Sequence, residues 1–300
     1  MALACGGRQN VMVSAKKDVA EADVQKAKEL ASKARELWKE REDESKAQAA
    51  IDAWKQAVIS NPNRHDVHRE LAYAYYYMNN VFVRWQDDNS EAEKKNYLNG
   101  VEAAEKALSI ANPAFAETIL AGGDKDDAWT KALEAATKDD VKALYWYATN
   151  LAKWALKDGI GSLLKYKDRA YAIMQRCKAL DNSFWYGGPS RYLGAYWLKI
   201  PFGKSPEKSK ANFEASVKAA PHYLDTKLLM AEIYAVRTDN EALFKTLLRE
   251  VLDTADDVDQ GLIPENKNAK RIAKEMLENM TYDKLLEVSN RRAEQIQKQL

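Results

Sequence analysis

A spacing of small residues and rings on a helical period constrains this chain most. The stretch "AIDAWKQAVISNP" holds Ala50, Trp54, Ala57 and Pro62: a small residue, a ring four positions on, a small residue three further, and a proline five beyond that. On a helix the first three share one face. The small residues let a second helix approach closely, the ring fills the remaining gap, and the proline stops the helix. The same spacing returns as Ser209, Phe213, Ser216 and Pro221.

The segment after each copy completes a hairpin. "HRELAYAY" supplies His68, Leu71, Ala72 and Tyr75 at packing positions, and the later copy is followed by Lys227, Met230, Ala231 and Tyr234. Weaker copies lie between: Gly100, Ala104 and Ala107 before Pro113; Leu144, Tyr147, Ala148 and Leu151; and Ala170, Met174 and Cys177. This is the pattern of tetratricopeptide (TPR) units, in which each helix pair buries its apolar face only by stacking on its neighbours. The expected fold is therefore all-α, with divergent TPR-like helical hairpin repeats forming a compact right-handed superhelix with extra helices. Helices are expected at about 16–41, 44–60, 65–84, 90–111, 125–136, 139–157, 162–180, 189–199, 205–219, 223–237, 240–254, 265–280 and 282–299. Pro206 and Pro264 fall in first helical turns, where a missing N–H costs nothing. Residues 1–15 read as an N-terminal segment, 16–300 as a single all-helical domain, and 113–138 as an irregular insertion.

Several functional classes are disfavoured. Lys and Arg number 46 against 45 Asp and Glu, so no net field attracts nucleic acid or an anionic membrane. No run of eighteen apolar residues is present to span a bilayer. His65 and His68 lie three apart, but neither His222 nor a cysteine is placed to complete a zinc set, and His68 already fills a packing position. "YGGPSR" has a phosphate-loop look, yet no strand precedes it and no Gly-Lys-Ser/Thr follows. Asp126-Asp127 and Asp139-Asp140 sit at helix starts, where acidic residues complement the macrodipole. The reading is a non-enzyme without metal or cofactor.

The positive signal is aromatic. The chain has 8 Trp and 15 Tyr but only 6 Phe, concentrated in 73–85, 144–154 and 184–197. Tyr73, Tyr75, Tyr76 and Tyr77 fall on too many helix faces for all to be core, and Tyr145, Trp146 and Tyr147 cover about three faces. Some of these rings are expected to line a cavity or an interface, where a ring with a polar handle is favoured. The candidates are Tyr75, Tyr76, Tyr145, Trp146, Trp185, Tyr186 and Trp197. Arg191 either meets a ligand carboxylate or bonds the loop carbonyls beside it. Gly187, Gly188, Pro189 and Gly194 read as the junction between two helix pairs, ending one helix and starting the next. In the N-terminal segment, "ALACGG" followed by a polar stretch looks like a bacterial lipobox, which makes Cys5 the lipidation candidate.

In this order, "ALYWYATNLAKW", "RAYAIMQRCKALDNSFWYGGPSRYLGAYW", "KSPEKSKANFEASVKAAPHYLDTKLLMAEIYA", "LFKTLLREVLD" and "ENKNAKRIAKEML" resemble the T-component (TatT) family of TPR-protein-associated TRAP transporters. The most specific part is Tyr186-Gly187-Gly188-Pro189 with Leu193-Gly194, followed by the Asn212-Phe213 helix and by Asn266 and Asn268. The resemblance covers about residues 140–280, and it departs where Ser190 precedes Arg191 directly after the Gly-Gly-Pro. It implies a periplasmic lipoprotein held to the membrane only through its lipid. It also implies a homotrimer with an aromatic-lined pore, and a partnership with the transporter's solute-binding protein in delivering a small hydrophobic or organic-acid ligand. A generic TPR adaptor that binds a peptide is the alternative. Such a groove is expected to repeat a Lys/Asn/Arg set on successive first helices, and none is found.

Overall fold

The computed structural model describes residues 8–13, 16–86, 89–123 and 125–299, and these residues form helices and connecting turns with no strand. The chain groups into two units, Met1–Arg176 and Cys177–Leu300. The Cys5 reading lies outside the described residues.

In the first unit, α1 (Glu21–Lys39) and α2 (Glu44–Ser60) form a hairpin. Ala27, Ala31 and Ala34 of α1, and Ala47, Ala50 and Ala57 of α2, are wholly buried. Trp54 is buried with them, so the small–ring–small stripe is the packing face. Asp43 caps α2 by accepting from the backbone N–H groups of Ser45 and Lys46. The first helix starts later than residue 16. Lys17 and Asn63 exchange hydrogen bonds of 2.9 and 2.6 Å, which hold the chain extended up to Ala20.

Next come α3 (His65–Val81), a 3-10 turn at Val83–Trp85, α4 (Ser90–Ala111) and α5 (Pro113–Ala121). The expected irregular insertion thus begins with a helix. Pro113 occupies its first turn, and the Asn112 side chain accepts from the Phe115 N–H at 3.1 Å. Pro113 therefore starts α5 as much as it ends α4. Then follow α6 (Asp126–Glu134), a 3-10 turn at Lys138–Asp140, α7 (Val141–Asp158) and α8 (Ile160–Asp181).

The helix α7 packs on both α3 and α4. Its Asn150 donates to the Ala72 and Trp146 carbonyls at 3.0 and 2.9 Å and lies against Gly100, where a Cβ would come within 2.6 Å of the amide. The N-terminal segment is tied to the same unit. Arg8 forks onto the fully buried Glu105 carboxylate, with one bond of 2.6 Å, and the Val11 N–H joins it at 2.9 Å.

The second unit holds α9 (Phe184–Lys199), α10 (Pro206–Ala219), α11 (Asp225–Leu229), α12 (Glu241–Asp253), α13 (Ile263–Glu278) and α14 (Tyr282–Gln299). A π-helical turn at Met230–Ala235 extends α11, and a 3-10 turn at Gln260–Leu262 precedes α13. The α9–α10 hairpin repeats the packing of α1–α2. Ser209, Phe213 and Ser216 are wholly buried. The Phe213 ring lies where a Cβ on Gly194 would approach to 2.8 Å, and Ser209 Oγ donates to the Gly194 carbonyl at 2.7 Å. No helix among the described residues is long and apolar enough to cross a membrane.

Candidate functional site

The start of α9 is not helical. Trp185 (φ 47°, ψ 51°), Tyr186 (58°, 51°) and Gly187 (73°, 23°) are three consecutive left-handed residues, and right-handed helix resumes at Gly188-Pro189. Glycine accepts this conformation freely, whereas each ring-bearing residue is disfavoured by about 1–2 kcal/mol. Gly187 is also fixed sterically, because a Cβ there would lie 2.9 Å from Ser216 Oγ.

Arg191, one helical turn further on, holds the turn. One guanidinium nitrogen donates to the Trp185 carbonyl at 3.2 Å, and another to the Tyr186 carbonyl at 3.1 Å and Thr226 Oγ1 at 3.3 Å. The guanidinium carbon sits 4.5 Å from the centre of the Tyr223 ring, and Tyr186 stacks on the same ring at 5.2 Å with planes 3° apart. Arg191 is buried. Two of these contacts are to carbonyls of the loop beside it.

Tyr223 was not among the sequence candidates, although it lies two residues after Pro221, where a repeat hairpin turns. Its loop is fixed from α13. Asn266 accepts from the Leu224 N–H at 3.1 Å and donates to the His222 and Asp256 carbonyls at 2.9 and 3.3 Å. This explains Asn266, which stood out in sequence only as part of a signature. At the turn itself, Phe184, Trp185 and Tyr186 are half-buried in an unbroken row with centroids about 6 Å apart. Trp197, at the other end of α9, is half-buried beneath the Lys208 ammonium, 4.2 Å from the ring centre.

The remaining ring candidates belong to the first unit. Tyr145 and Trp146 are buried, as is Tyr147, which stacks on Trp129 at 4.6 Å. The inference that rings on three faces cannot all be core holds for a helix with one covered face, and α7 is covered around its circumference. On α3, Tyr73 and Tyr77 are buried, with Trp38 T-shaped to both. Tyr75 and Tyr76 are half-buried. Tyr76 lies 5.4 Å from Trp146, and burial, with Asp52 and Glu102 nearby, pushes the Tyr75 hydroxyl up to about 12.

His68 is buried with its Nε2 3.1 Å from the Pro62 carbonyl oxygen, and burial pushes its imidazole down to about 4. A neutral ring donating to that carbonyl staples α3 to the loop before it. Cys177 is a buried free thiol raised by desolvation, an inert packing group. No group of three or more His, Cys, Asp or Glu side chains suited to a metal converges among the described residues.

Fold and site together define an all-α helical-hairpin protein in which a buried arginine holds two rings in a strained turn. Among known families, the TRAP transporter T-component family matches residues 54–282, most of the chain including this turn, and the chain belongs to that family. No curated protein matches it.

Proposed function

We propose that this T-component is a non-enzymatic, periplasmic, lipid-anchored part of a TRAP uptake system. In this reading it acts as a homotrimer, docks the solute-binding protein and passes a small hydrophobic or organic-acid ligand along its aromatic residues. The observation that carries the proposal is the left-handed Trp185-Tyr186 pair. Backbone strain on two bulky residues persists only where surrounding contacts over-determine it, and such strain concentrates at functional sites. Arg191 and Tyr223 supply those contacts and leave the Phe184, Trp185 and Tyr186 rings half-buried, able to meet an apolar ligand or a partner. Burying a ring-sized ligand against them gains about 25 cal/mol per Å2 of apolar area, so binding requires no reactive group. Tyr75, Tyr76, Tyr145, Trp146 and Trp197 remain in the proposal as further lining residues. Cys5 remains the lipidation candidate.

The test is co-purification of the full chain with its cognate solute-binding protein, alongside light scattering for the trimer. Stable association that is lost in Trp185→Asn supports the reading. Clean failure to associate, with and without ligand in the solute-binding protein, refutes the docking role.

A further inference from the structure

The N-terminal segment is docked on the first unit, and the docking limits where a lipid on Cys5 can lie. Arg8 and Glu105 form a forked ion pair whose side chains are 4% and 0% exposed. The Val11 N–H donates to the same carboxylate at 2.9 Å, and Met12 is buried one residue on. A buried carboxylate parted from its cation is strongly disfavoured, so residues 8–12 stay on α4 while the unit is folded. They form a fixed strap.

The strap lies towards one end of the helices. The pair α3 and α4 is antiparallel: Asn79, late in α3, donates to the Glu93 carbonyl at 2.8 Å and accepts from Asn96 at 3.0 Å, both early in α4. That register brings His68 level with Lys106, whose charge reaches it, and sets Glu105 beside the first turns of α3. The same end holds the α2–α3 loop, which Asn63 joins to Lys17 by two hydrogen bonds, and the exposed Ile59 at the close of α2. Val81, at the far end of α3, is about 24 Å from His65 along the helix axis.

Cys5 lies three residues before Arg8. Three residues span at most about 11 Å, so any group bonded to Cys5 stays that close to the strap. A long flexible linker would let the body reorient above a membrane, and this short one does not.

We propose that the first unit sets its strap end, formed by residues 8–12, the end of α4 and the α2–α3 loop, against the bilayer that holds the Cys5 lipid, and points the far end of α3 away from it. This orientation rests on the lipid-anchor reading of Cys5. Exposed charges at the strap end have both signs, with Lys16 and Lys17 beside Asp18. The tether therefore sets the orientation, and an uncharged bilayer serves.

The experiment couples the full chain through Cys5 to a maleimide lipid in phosphatidylcholine nanodiscs that also carry a gadolinium-chelate lipid. Cys177, the other cysteine, is buried with its thiol raised by desolvation, which leaves Cys5 as the reactive one. Methyl resonances of Val11, Val13 and Ile59 are expected to broaden beyond detection while those of Val81 and Val83 keep most of their intensity. Inserting about twenty Gly/Ser residues between Gly7 and Arg8 lengthens the tether to about 25 Å on average. The contrast is then expected to vanish with the melting temperature unchanged. Equal broadening at both ends, stronger broadening at Val81 and Val83, or a contrast that survives the inserted linker would overturn the proposal. None of these outcomes touches the lipid-anchor reading, since the coupling is chemical. That reading is checked by the mass of the protein recovered from cell membranes, where Cys5 without lipid would overturn it and this orientation with it.

Discussion

The Arg191 guanidinium carbon lies over the Tyr223 ring, 4.5 Å from its centre, while the guanidinium donates to the carbonyls of Trp185 and Tyr186. One side chain thus couples the left-handed turn at the start of α9 to the loop before α11. The planar fork makes this possible, because it can serve several acceptors with different nitrogens while its charge sits over a ring. Arg191→Lys keeps the charge and loses the geometry. It is expected to destabilise the protein by about 2–3 kcal/mol, read from denaturant midpoints. Full stability in the lysine variant would mean that charge alone suffices.

The turn offers a test that separates strain from packing. Asparagine tolerates the left-handed region, so Trp185→Asn relieves up to about 1–2 kcal/mol of strain while removing a half-buried ring. Stability is expected to stay within about 1 kcal/mol of the parent while association with the solute-binding protein is lost. A loss of more than about 2 kcal/mol would make the ring a structural element first.

The close approach of α9 and α10 is measurable at Gly194. An added methyl would sit 2.8 Å from the Phe213 ring, so Gly194→Ala is expected to cost about 1–3 kcal/mol in thermal or chemical unfolding. Combining it with Phe213→Leu is expected to cost less than the sum of the two changes, because the smaller side chain makes room.

The state of His68 predicts a pH dependence. Its folded value of about 4 lies below the ordinary 6.5, so the unfolded chain takes up a proton first as pH falls. The stability from this site is complete above about pH 6.5 and is lost as pH falls towards 4, by about 3 kcal/mol at most. Asp66 acts lower. Burial raises its carboxyl, but the hydrogen bonds and charges of Arg64 and Arg35 outweigh that and hold it well below the usual range. Melting temperatures between pH 7 and 4 are expected to fall less steeply in His68→Gln, which retains a donor for the Pro62 carbonyl without a titrating ring.

Helix positions and the packing of paired helices were legible because both are local. Ala50-Trp54-Ala57 and Ser209-Phe213-Ser216 recur on a helical period, and a face made of two small residues and a ring can be satisfied only by a second helix. What misled was also local. Pro113 looks like an end when read from α4 and is the start of α5. The rings of α7 look surplus when one covered face is assumed.

By itself, the sequence determined the helical class, the close-packed hairpins and the family signature from Tyr186 to Asn268, since these depend on residue type and spacing along a few turns. Only the tertiary structure decided that Trp185 and Tyr186 are left-handed. No local preference puts two bulky residues there, and the conformation is imposed by Arg191, Tyr223 and Ser216, up to 38 residues away in the chain. The same holds for a groove between Leu198 and Asn290 in the second unit. Its lining residues come from segments separated in sequence, which no periodicity brings together.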